Sequence, residues 1–479
     1  MLAWGALIPI LLRWIRVPSA RRMYVEAIGM WLTASAIAFS WPLLHPSTVT
    51  ALASLGGLLT LSMLGAIPFA LSVLVLRQLG LLSGLGALIV FALSMEWILQ
   101  IGPLAFPWTF YGHTQAATAP FNQLAALGGV GLLSAWVLVL NAAFFLILSS
   151  RFRTLGTIVA LTVLLAGVGY GNHRLQSPLE PVRTTSALLV QPGLSASTWA
   201  EVHNPERVEH LQRLTESALT NRPTPDEPPL VIWPETALPP TWTPPGDAAE
   251  NLQQWANEHS IQLLTGAIRT AESPSIYYNS AVLFRPQVPA QMYDKNKLVP
   301  FAERVPFVNA VPALQSFAVP AGGVAGYARG TETPVLKSDT FNAGALICFE
   351  STFGALARSY VRRAEPADFL VTLAQDGWWG QSLGYHQHFA FTRLRAIETG
   401  RAMAMVTVTG ITGLIDPHGE ARSTTEWIQQ TAQWVDIPHY RLDPPAIYWG
   451  SWFYHSALAF CALFTLLTAL SYYRTNNFR

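Results

Sequence analysis

Long apolar runs dominate the first third of the chain and its C-terminal end. A transmembrane helix needs roughly 20 consecutive apolar residues, and the pattern predicts seven spans, of which the first is short. They are Leu2–Ile15, Tyr24–Leu44, Val49–Leu76, Leu81–Ile101, Phe121–Leu148, Leu155–Tyr170 and Trp449–Tyr472. The sequence therefore predicts a multi-span α-helical membrane domain over residues 1–175, with about six spans, and a C-terminal transmembrane helix over residues 446–473.

After Thr185 the period of the pattern changes, and short, partly β-branched runs alternate with helical stretches. The strand-like runs are Ala187–Gln191, Leu230–Trp233, Gln262–Ile268, Ser280–Phe284, Ala343–Ile347, Phe369–Leu373, Ala402–Val408 and Leu414–Asp416. The helical stretches are Glu206–Thr220, Ala248–Glu258, Thr352–Ala364 and His386–Arg401. Strands mixed with helices over roughly 250 residues predict an α/β layered domain with its own core. We place this domain at residues 184–440.

Composition and charge agree with a membrane protein that carries a water-exposed domain. The chain has 479 residues, of which 51% are hydrophobic and only 12% charged, with a formal net charge of +1. A nucleic-acid binder needs a basic surface, so this composition excludes that class. From Met1 to Gly171 the only acidic residues are Glu26 and Glu96. Glu96 lies inside a predicted span, where a carboxyl group is either functional or hydrogen-bonded to a neighbouring helix.

Basic residues indicate how the spans are oriented. They cluster in alternate connections, at Arg16, Arg21, Arg22, Arg77, Arg151 and Arg153, and in the tail at Arg474 and Arg479. Because Lys and Arg accumulate on the cytoplasmic side, these connections are predicted to be cytoplasmic. The connections around His45–Ser47 and Gly102–Pro120 contain no Lys or Arg, and the α/β domain falls on their side. The sequence thus predicts that the α/β domain faces the periplasm or the cell exterior.

Three strands of the α/β domain each lead to a reactive side chain. Cys348 closes an apolar run and precedes Ala355–Arg363, which reads as a helix. A thiol at a helix N-terminus feels the positive end of the dipole, which favours the thiolate. The alternative is a buried, unreactive cysteine. Glu235 and Lys295 follow two other strands, and a carboxylate, an ammonium and a thiol together could perform acyl transfer.

Longer motifs surround these three residues. They are Val190-Gln191-Pro192, Trp233-Pro234-Glu235, Thr265-Gly266-Ala267, Tyr278-Asn279-Ser280-Ala281, Tyr293-Asp294-Lys295, Leu298-Val299-Pro300-Phe301-Ala302-Glu303, Ile347-Cys348-Phe349-Glu350, Asp376-Gly377-Trp378-Trp379-Gly380 and Arg395-Ala396-Ile397-Glu398-Thr399-Gly400-Arg401. Together they resemble the Glu-Lys-Cys signature of the nitrilase superfamily and, more closely, the apolipoprotein N-acyltransferase family. In the membrane part, Glu96-Trp97 and Phe106-Pro107-Trp108 are also similar to that family.

The resemblance implies a role for each matching residue. Glu235 would be the general base, Lys295 the oxyanion-stabilising lysine, and Cys348 the nucleophile that accepts the acyl chain. Glu303 and Glu350 match accessory carboxylates that orient Lys295 and the active-site loop. Aromatic residues that match positions on mobile loops around the substrate entrance are Trp199, Phe349, Trp378 and Trp379.

The resemblance also implies the fold and the reaction. The α/β domain would be a nitrilase-like αββα sandwich. The protein would move a fatty acyl chain from a phospholipid to the α-amino group of the N-terminal diacylglyceryl-cysteine of an apolipoprotein, through a thioester on Cys348. It would act as a monomer without a metal or other cofactor. A membrane-tethered amidase for a small carbon–nitrogen substrate and an inactive scaffold are the alternatives, although the intact Glu235, Lys295 and Cys348 argue against a scaffold.

Some positions depart from the family pattern, and other segments allow more than one structural or functional interpretation. Departures that leave the triad intact are Leu99, Ala302, Phe349, Gln375 and Val408. The apolar segment Val311–Tyr327 reads as a lid that dips into the outer leaflet, with an ordinary packed loop as the alternative. His386 and His388 lack accompanying ligands at metal-binding spacing, so we expect no metal there.

Overall fold

The computed structural model describes residues 2–43, 48–201, 205–223, 227–239, 246–270, 276–308, 310–313 and 326–477. The chain divides into two compact units, one formed by Met1–Ser177 with Tyr448–Arg479 and the other by Pro178–Ile447. Most of the predicted lid and the connection at His45–Ser47 lie outside the described residues.

The first unit is helical. Its helices are α1 (Ile8–Trp14), α2 (Ala20–Ala38), α3 (Ser40–Leu43), α4 (Thr48–Leu79), α5 (Leu81–Ile98), α6 (Ala125–Ile147) and α7 (Arg153–Gln176), with α14 (Trp452–Asn477) from the C-terminal end. Among the described residues, five helical segments are long and apolar enough to cross a membrane, namely Ser54–Leu79, Leu81–Ile98, Phe121–Ile147, Arg153–Gln176 and Ala446–Thr475. These segments confirm the multi-span helical architecture.

The first two predicted spans differ from the other five. The prediction that Leu2–Ile15 crosses the membrane as one span is wrong, because α1 has only 7 residues and a crossing needs roughly 20. Tyr24–Leu44 falls largely on α2, which has 19 residues. Arg21, Arg22 and Glu26 in its first two turns make α2 too charged to belong to the five apolar segments. A crossing by α2 therefore stays a prediction.

Two six-stranded sheets form the centre of the second unit. The strands are β1 (Arg183–Gln191), β2 (Leu230–Ile232), β3 (Gln262–Thr270), β4 (Tyr277–Arg285), β5 (Val288–Asp294), β6 (Leu336–Lys337), β7 (Asn342–Ile347), β8 (Phe369–Ala374), β9 (Met403–Thr407), β10 (Gly413–Ile415), β11 (Ala421–Arg422) and β12 (Thr431–His439). The strand orders are β12-β1-β2-β3-β4-β5 and β11-β10-β9-β8-β7-β6. The triplets β1-β2-β3 and β7-β8-β9 are parallel.

Helices cover the sheets, which also contact each other. The helices of this unit are α8 (Ala196–Glu201), α9 (Pro205–Leu219), α10 (Asp247–Glu258), α11 (Gly354–Ser359), α12 (Leu383–Thr399) and α13 (Ala446–Trp449), the last extending into the helical unit. Leu211 of α9 and Leu252 of α10 share one buried core with Val231 of β2 and Leu263 of β3. On the second sheet, α12 packs against β9, and β1 contacts β9 across the two sheets. The layers confirm the predicted αββα sandwich.

Four strands and one predicted helix differ from the sequence prediction. The pattern did not predict β6 or β11, which have two residues each. It also did not predict β5 or β12, because their residues are only partly buried and lack a continuous apolar run. The predicted helix Ala355–Arg363 is shorter than expected, since α11 ends at Ser359 and a five-residue 3-10 helix, Cys348–Thr352, precedes it.

Candidate active site

Cys348 occupies a strained turn at the end of a buried strand. It follows Ile347, the last residue of β7, and begins the 3-10 helix Cys348–Thr352. Its φ of +49° lies in the left-handed region that residues with a side chain rarely adopt. Such strain persists only where the surroundings enforce it, and it often marks functional sites.

Glu350 ties this turn to the segment that carries Lys295. One carboxylate oxygen of Glu350 accepts hydrogen bonds from the Tyr293 hydroxyl at 2.7 Å, the Asn296 backbone N–H at 2.7 Å and the Lys297 backbone N–H at 2.9 Å. The other oxygen accepts from the Ile347 N–H at 2.9 Å. Burial raises the pKa of Glu350, although these donors oppose the shift. Glu350 thus holds the chain on both sides of the site.

Lys295 lies between two buried carboxylates. Its Nζ is 2.9 Å from Glu303 Oε1 and 3.4 Å from Glu235 Oε1, and its side chain is 1% exposed. Burial alone would lower the pKa of Lys295, but the negative charges of Glu303 and then Glu235 outweigh it, so the pKa is raised. Lys295 is therefore a permanent buried cation at neutral pH.

Glu235 follows β2, in a turn where the backbone is closely packed. A Cβ atom added to Gly266 of β3 would lie 2.5 Å from Glu235 Cα, so only glycine fits beside this turn. The Asn279 amide nitrogen donates to Glu235 Oε1 at 2.8 Å and to Glu303 Oε1 at 3.1 Å. Burial raises the pKa of Glu235, Lys295 opposes that shift and Glu303 adds to it. These effects suit a carboxylate that has to accept a proton.

The three predicted catalytic side chains belong to one electrostatic cluster. Burial raises the pKa of the Cys348 thiol well above its ordinary value, Glu235 adds to the rise, and Lys295 opposes it. The resting group is consequently the thiol. The prediction that a helix dipole favours the thiolate is wrong, because a five-residue 3-10 helix follows Cys348 and its environment is buried and net negative.

A cavity opens beside the carboxylates. It is lined by Trp199, Arg207, Glu235, Thr236, Ile268, Asn279, Glu303, Tyr327, Gln375 and Trp378. The Trp199 indole N–H donates to the Thr236 hydroxyl at 3.1 Å, which docks this aromatic residue beside the Glu235 turn. Two of the predicted aromatics thus line the cavity, whereas Trp379 packs edge-on against His388 and Phe349 edge-on against Phe353.

One cluster among the described residues has side chains of the kinds that bind metals. Ligand atoms of Cys348, Asp376 and His388 all lie within 4.8 Å of one another, and the three residues are buried. The His388 nitrogens are already close to protein atoms, Nδ1 to Asp376 Oδ1 at 2.8 Å and Nε2 to the Cys348 carbonyl oxygen at 2.9 Å. A cation would have to displace these contacts.

Comparisons with known proteins identify the family. Residues 195–438 match the family model described as carbon-nitrogen hydrolase, and residues 1–143 match the apolipoprotein N-acyltransferase N-terminal domain. The apolipoprotein N-acyltransferase of Chlorobaculum tepidum is 28% identical, with 91% of this chain and 86% of that protein covered. The apolipoprotein N-acyltransferase of Sinorhizobium fredii is 30% identical, with 74% of this chain and 68% of that protein covered. The chain belongs to the apolipoprotein N-acyltransferase family.

Membership in this family makes the protein a membrane-associated, multi-pass acyltransferase with a carbon-nitrogen hydrolase domain, and it does not favour the amidase alternative. Among solved structures, Saccharomyces cerevisiae Nit3, a member of branch 10 of the nitrilase superfamily, is similar at 17% identity. That comparison covers 56% of this chain and 93% of Nit3, with a TM-score of 0.41.

Several residues of the site had no role assigned from the sequence. Asn279 lies within a recognised motif, yet only the pairing of β4 with β3 and β5 reveals that it links Glu235 to Glu303. Arg207 donates to the backbone carbonyls of Thr236 and Trp199 and stacks on the Trp199 ring at 4.4 Å. Burial lowers the pKa of Arg207 to about 10. The sequence signal that could have identified Arg207 is a cationic residue at a helical position that faces apolar neighbours.

Glu96, for which the sequence left a functional and a structural interpretation open, is hydrogen-bonded to neighbouring segments of the helical unit. Within the helical unit, its Oε1 accepts from the Tyr111 backbone N–H at 2.7 Å and from the Ser134 hydroxyl at 2.9 Å. Its Oε2 accepts from the Tyr454 hydroxyl at 3.2 Å. Because these donors come from three different segments, Glu96 joins helices α5, α6 and α14, and the structural interpretation accounts for its burial.

Proposed function

We propose that this protein forms a thioester on Cys348 with a phospholipid acyl chain and transfers that chain to the N-terminal α-amino group of a diacylglyceryl lipoprotein. The observation that carries the proposal is the buried cluster in which Lys295 bridges Glu235 and Glu303 while the charges of Glu235 and Lys295 act on the Cys348 thiol. A base, an oxyanion donor and a nucleophile are the groups that acyl transfer requires.

In the first half-reaction, Glu235 takes the Cys348 proton as the sulfur attacks the ester carbonyl. The tetrahedral oxyanion is stabilised by the Lys295 ammonium. When the carbon–oxygen bond breaks, Glu235 returns the proton to the departing lysophospholipid oxygen. The raised pKa of Glu235 supports the first of these proton transfers, because a base that binds its proton more tightly is a stronger acceptor.

In the second half-reaction, the lipoprotein amine attacks the thioester carbonyl. Glu235 takes a proton from the attacking nitrogen, and the Cys348 sulfur leaves and recovers that proton. Donor and acceptor use the same nucleophile, so the kinetics should be ping-pong. The roles of Trp199, Trp378 and Trp379 in binding the acyl chain or the acceptor are part of this proposal, as are the accessory roles of Glu303, Glu350 and Phe349.

We further propose that the α/β domain faces the periplasm of a bacterial inner membrane. The support is the clustering of arginines in alternate connections of the sequence. A protease-cleavable tag inserted between Pro239 and Pro245 should be cut in intact spheroplasts, whereas a C-terminal tag should be protected. Protection of the internal tag would contradict this orientation.

The function is tested by mass spectrometry of the purified protein after incubation with phospholipid vesicles. We expect an added acyl mass on the Cys348 peptide, which disappears when a diacylated lipopeptide with a free α-amino group is supplied. An N-acetylated lipopeptide is the matched control and should leave the acyl-enzyme intact. Rapid loss of the acyl mass to water, with no acceleration by the free amine, would contradict transfer and indicate hydrolysis.

A further inference from the structure

A buried histidine contacts the backbone of the proposed nucleophile. His388 on α12 is fully buried, and its Nε2 lies 2.9 Å from the Cys348 carbonyl oxygen and 2.8 Å from the Ser351 hydroxyl. Its Nδ1 lies 2.8 Å from Oδ1 of Asp376, which is also fully buried. None of these contacts belongs to the transfer steps described above.

The contacts determine which ring nitrogen carries a proton. A carbonyl oxygen can only accept, so a distance of 2.9 Å from the Cys348 oxygen makes Nε2 the donor. Nδ1 then meets Asp376 in one of two ways: it donates to the carboxylate, or it accepts from a protonated carboxyl group. Burial raises the pKa of Asp376 although His388 opposes the shift, and Asp376 Oδ2 has no hydrogen-bond partner among the described residues. In either case Asp376 keeps the Nε2–H of His388 directed at Cys348.

Holding this carbonyl fixes a whole peptide plane. In a trans peptide the C=O of Cys348 and the N–H of Phe349 point in opposite directions. The hydrogen bond from His388 therefore directs the Phe349 N–H to the other side of the plane. It also opposes relaxation of the left-handed φ of Cys348, which is +49°.

We propose that His388, held by Asp376, is a positioning residue that fixes the Cys348–Phe349 peptide and so aims the thiol and the Phe349 N–H at the acyl carbonyl. Asp376 begins the 3-10 helix Asp376–Trp379, and the Trp379 ring packs edge-on against His388 at 5.0 Å. The same pair thereby couples the segment that carries Trp378 and Trp379 to the nucleophile. This inference rests on the proposed acyl-enzyme.

Two isosteric substitutions separate the two contacts of His388. In His388→Gln the side-chain amide nitrogen replaces Nε2 and can still donate to the Cys348 carbonyl, whereas Asp376 loses its partner. In His388→Asn the amide nitrogen replaces Nδ1, so the contact with Asp376 is kept and the contact with Cys348 is lost. His386→Asn, at an exposed position on the same helix, is the matched control.

The experiment measures formation of the Cys348 acyl-enzyme in a single turnover with phospholipid vesicles, together with the steady-state kcat and KM. A misplaced reacting group costs roughly 100-fold in rate, so we expect His388→Asn to lower the acylation rate and kcat by about that factor with KM unchanged. His388→Gln should stay within about tenfold of wild type, since it loses only one hydrogen bond. Equal losses in the Asn and Gln variants would show that His388 is merely packed and would overturn the proposal.

A second pair of variants covers the case in which His388→Asn does not fold, as judged by its thermal unfolding. Asp376→Asn can donate from its amide to Nδ1 and preserve the Nε2–H, whereas Asp376→Ala cannot. We expect slow acylation only in Asp376→Ala, and equal rates in the two Asp376 variants would overturn the proposal. Absence of an acyl-enzyme in the wild type would instead contradict the proposed function, so the two failures are distinguishable.

Discussion

Glu303 is the carboxylate whose replacement most directly tests the electrostatics of the site. The Asn279 amide nitrogen lies 2.8 Å from Glu235 Oε1 and 3.1 Å from Glu303 Oε1, so these two oxygens are at most 5.9 Å apart. At an effective dielectric constant of about 20, two negative charges at that distance repel by about 3 kcal/mol. A repulsion of this size changes the proton affinity of Glu235 more than tenfold.

Glu303→Gln should therefore make Glu235 a weaker base. The amide oxygen can still accept from Lys295 Nζ, so the change removes mainly the charge. Because Glu303 raises the pKa of Glu235, removing it lets Glu235 lose its proton at a lower pH. The acidic limb of the kcat/KM profile, which reports the base in the free enzyme, should move to lower pH, and the maximal rate should fall.

The assay is acyl transfer to a fluorescent diacylated lipopeptide in phospholipid nanodiscs. The rate is measured from about pH 4 to about pH 9 in steps of about one pH unit. Asp339→Asn is the control for the loss of one negative charge, since the Asp339 side chain is fully exposed. The Val299 N–H loses its acceptor in Glu303→Gln, so thermal unfolding should be recorded in parallel. An acidic limb that stays in place or moves to higher pH in a folded variant would refute the coupling of Glu303 to Glu235.

Three further predictions concern single residues. Cys348→Ser should abolish the thioester-linked acyl mass, whereas Cys461→Ala in α14 should leave it unchanged; a full acyl mass in Cys348→Ser would contradict the assignment. Burial raises the pKa of the Cys348 thiol, so its alkylation by iodoacetamide should be slow at neutral pH. The alkylation rate should still increase with pH at about pH 9, which is roughly the ordinary pKa of a thiol. A rate that reaches its plateau near neutral pH would disprove a resting thiol. Glu350→Gln places an amide donor against backbone N–H donors, so it should lower the free energy of unfolding by about 2–5 kcal/mol. Unchanged thermal unfolding would show that Glu350 does not hold the two segments together.

The strands that the sequence predicted most clearly are those in which nearly every residue is buried. Strand β8 is buried at all six positions and β7 at five of six, and each has only one polar residue. Strand β5 was missed because it lies at a sheet edge and only one of its seven residues is buried. The lengths of the later apolar runs predicted α5, α6 and α7, whereas the length of the run at Leu2–Ile15 did not fix a crossing.

The sequence singled out the candidate catalytic residues because each follows a strand within a recognisable motif, but it could not reveal the hydrogen bonds that connect them. Asn279 is 44 residues from Glu235, and His388 is 40 residues from Cys348. Hydrogen bonds over such separations depend on strand order and helix packing. The same limit explains the error about the thiolate. Local sequence indicated a helix after Cys348, whereas the thiol pKa is raised by burial and by the charges of Glu235 and Asp376, which are distant in sequence.

In the proposed mechanism, the first proton transfer leaves the net charge of the buried cluster unchanged. With Glu235 and Glu303 ionised, Lys295 protonated and Cys348 a thiol, the cluster carries one net negative charge. When Glu235 takes the thiol proton, Glu235 becomes neutral and Cys348 negative, so the net charge is unchanged. The cost of burying charge is therefore met on folding, and the transfer only moves the negative charge from the carboxylate to the sulfur. Lys295, held in place by Glu303 at 2.9 Å, then stabilises that charge as it passes to the tetrahedral oxyanion.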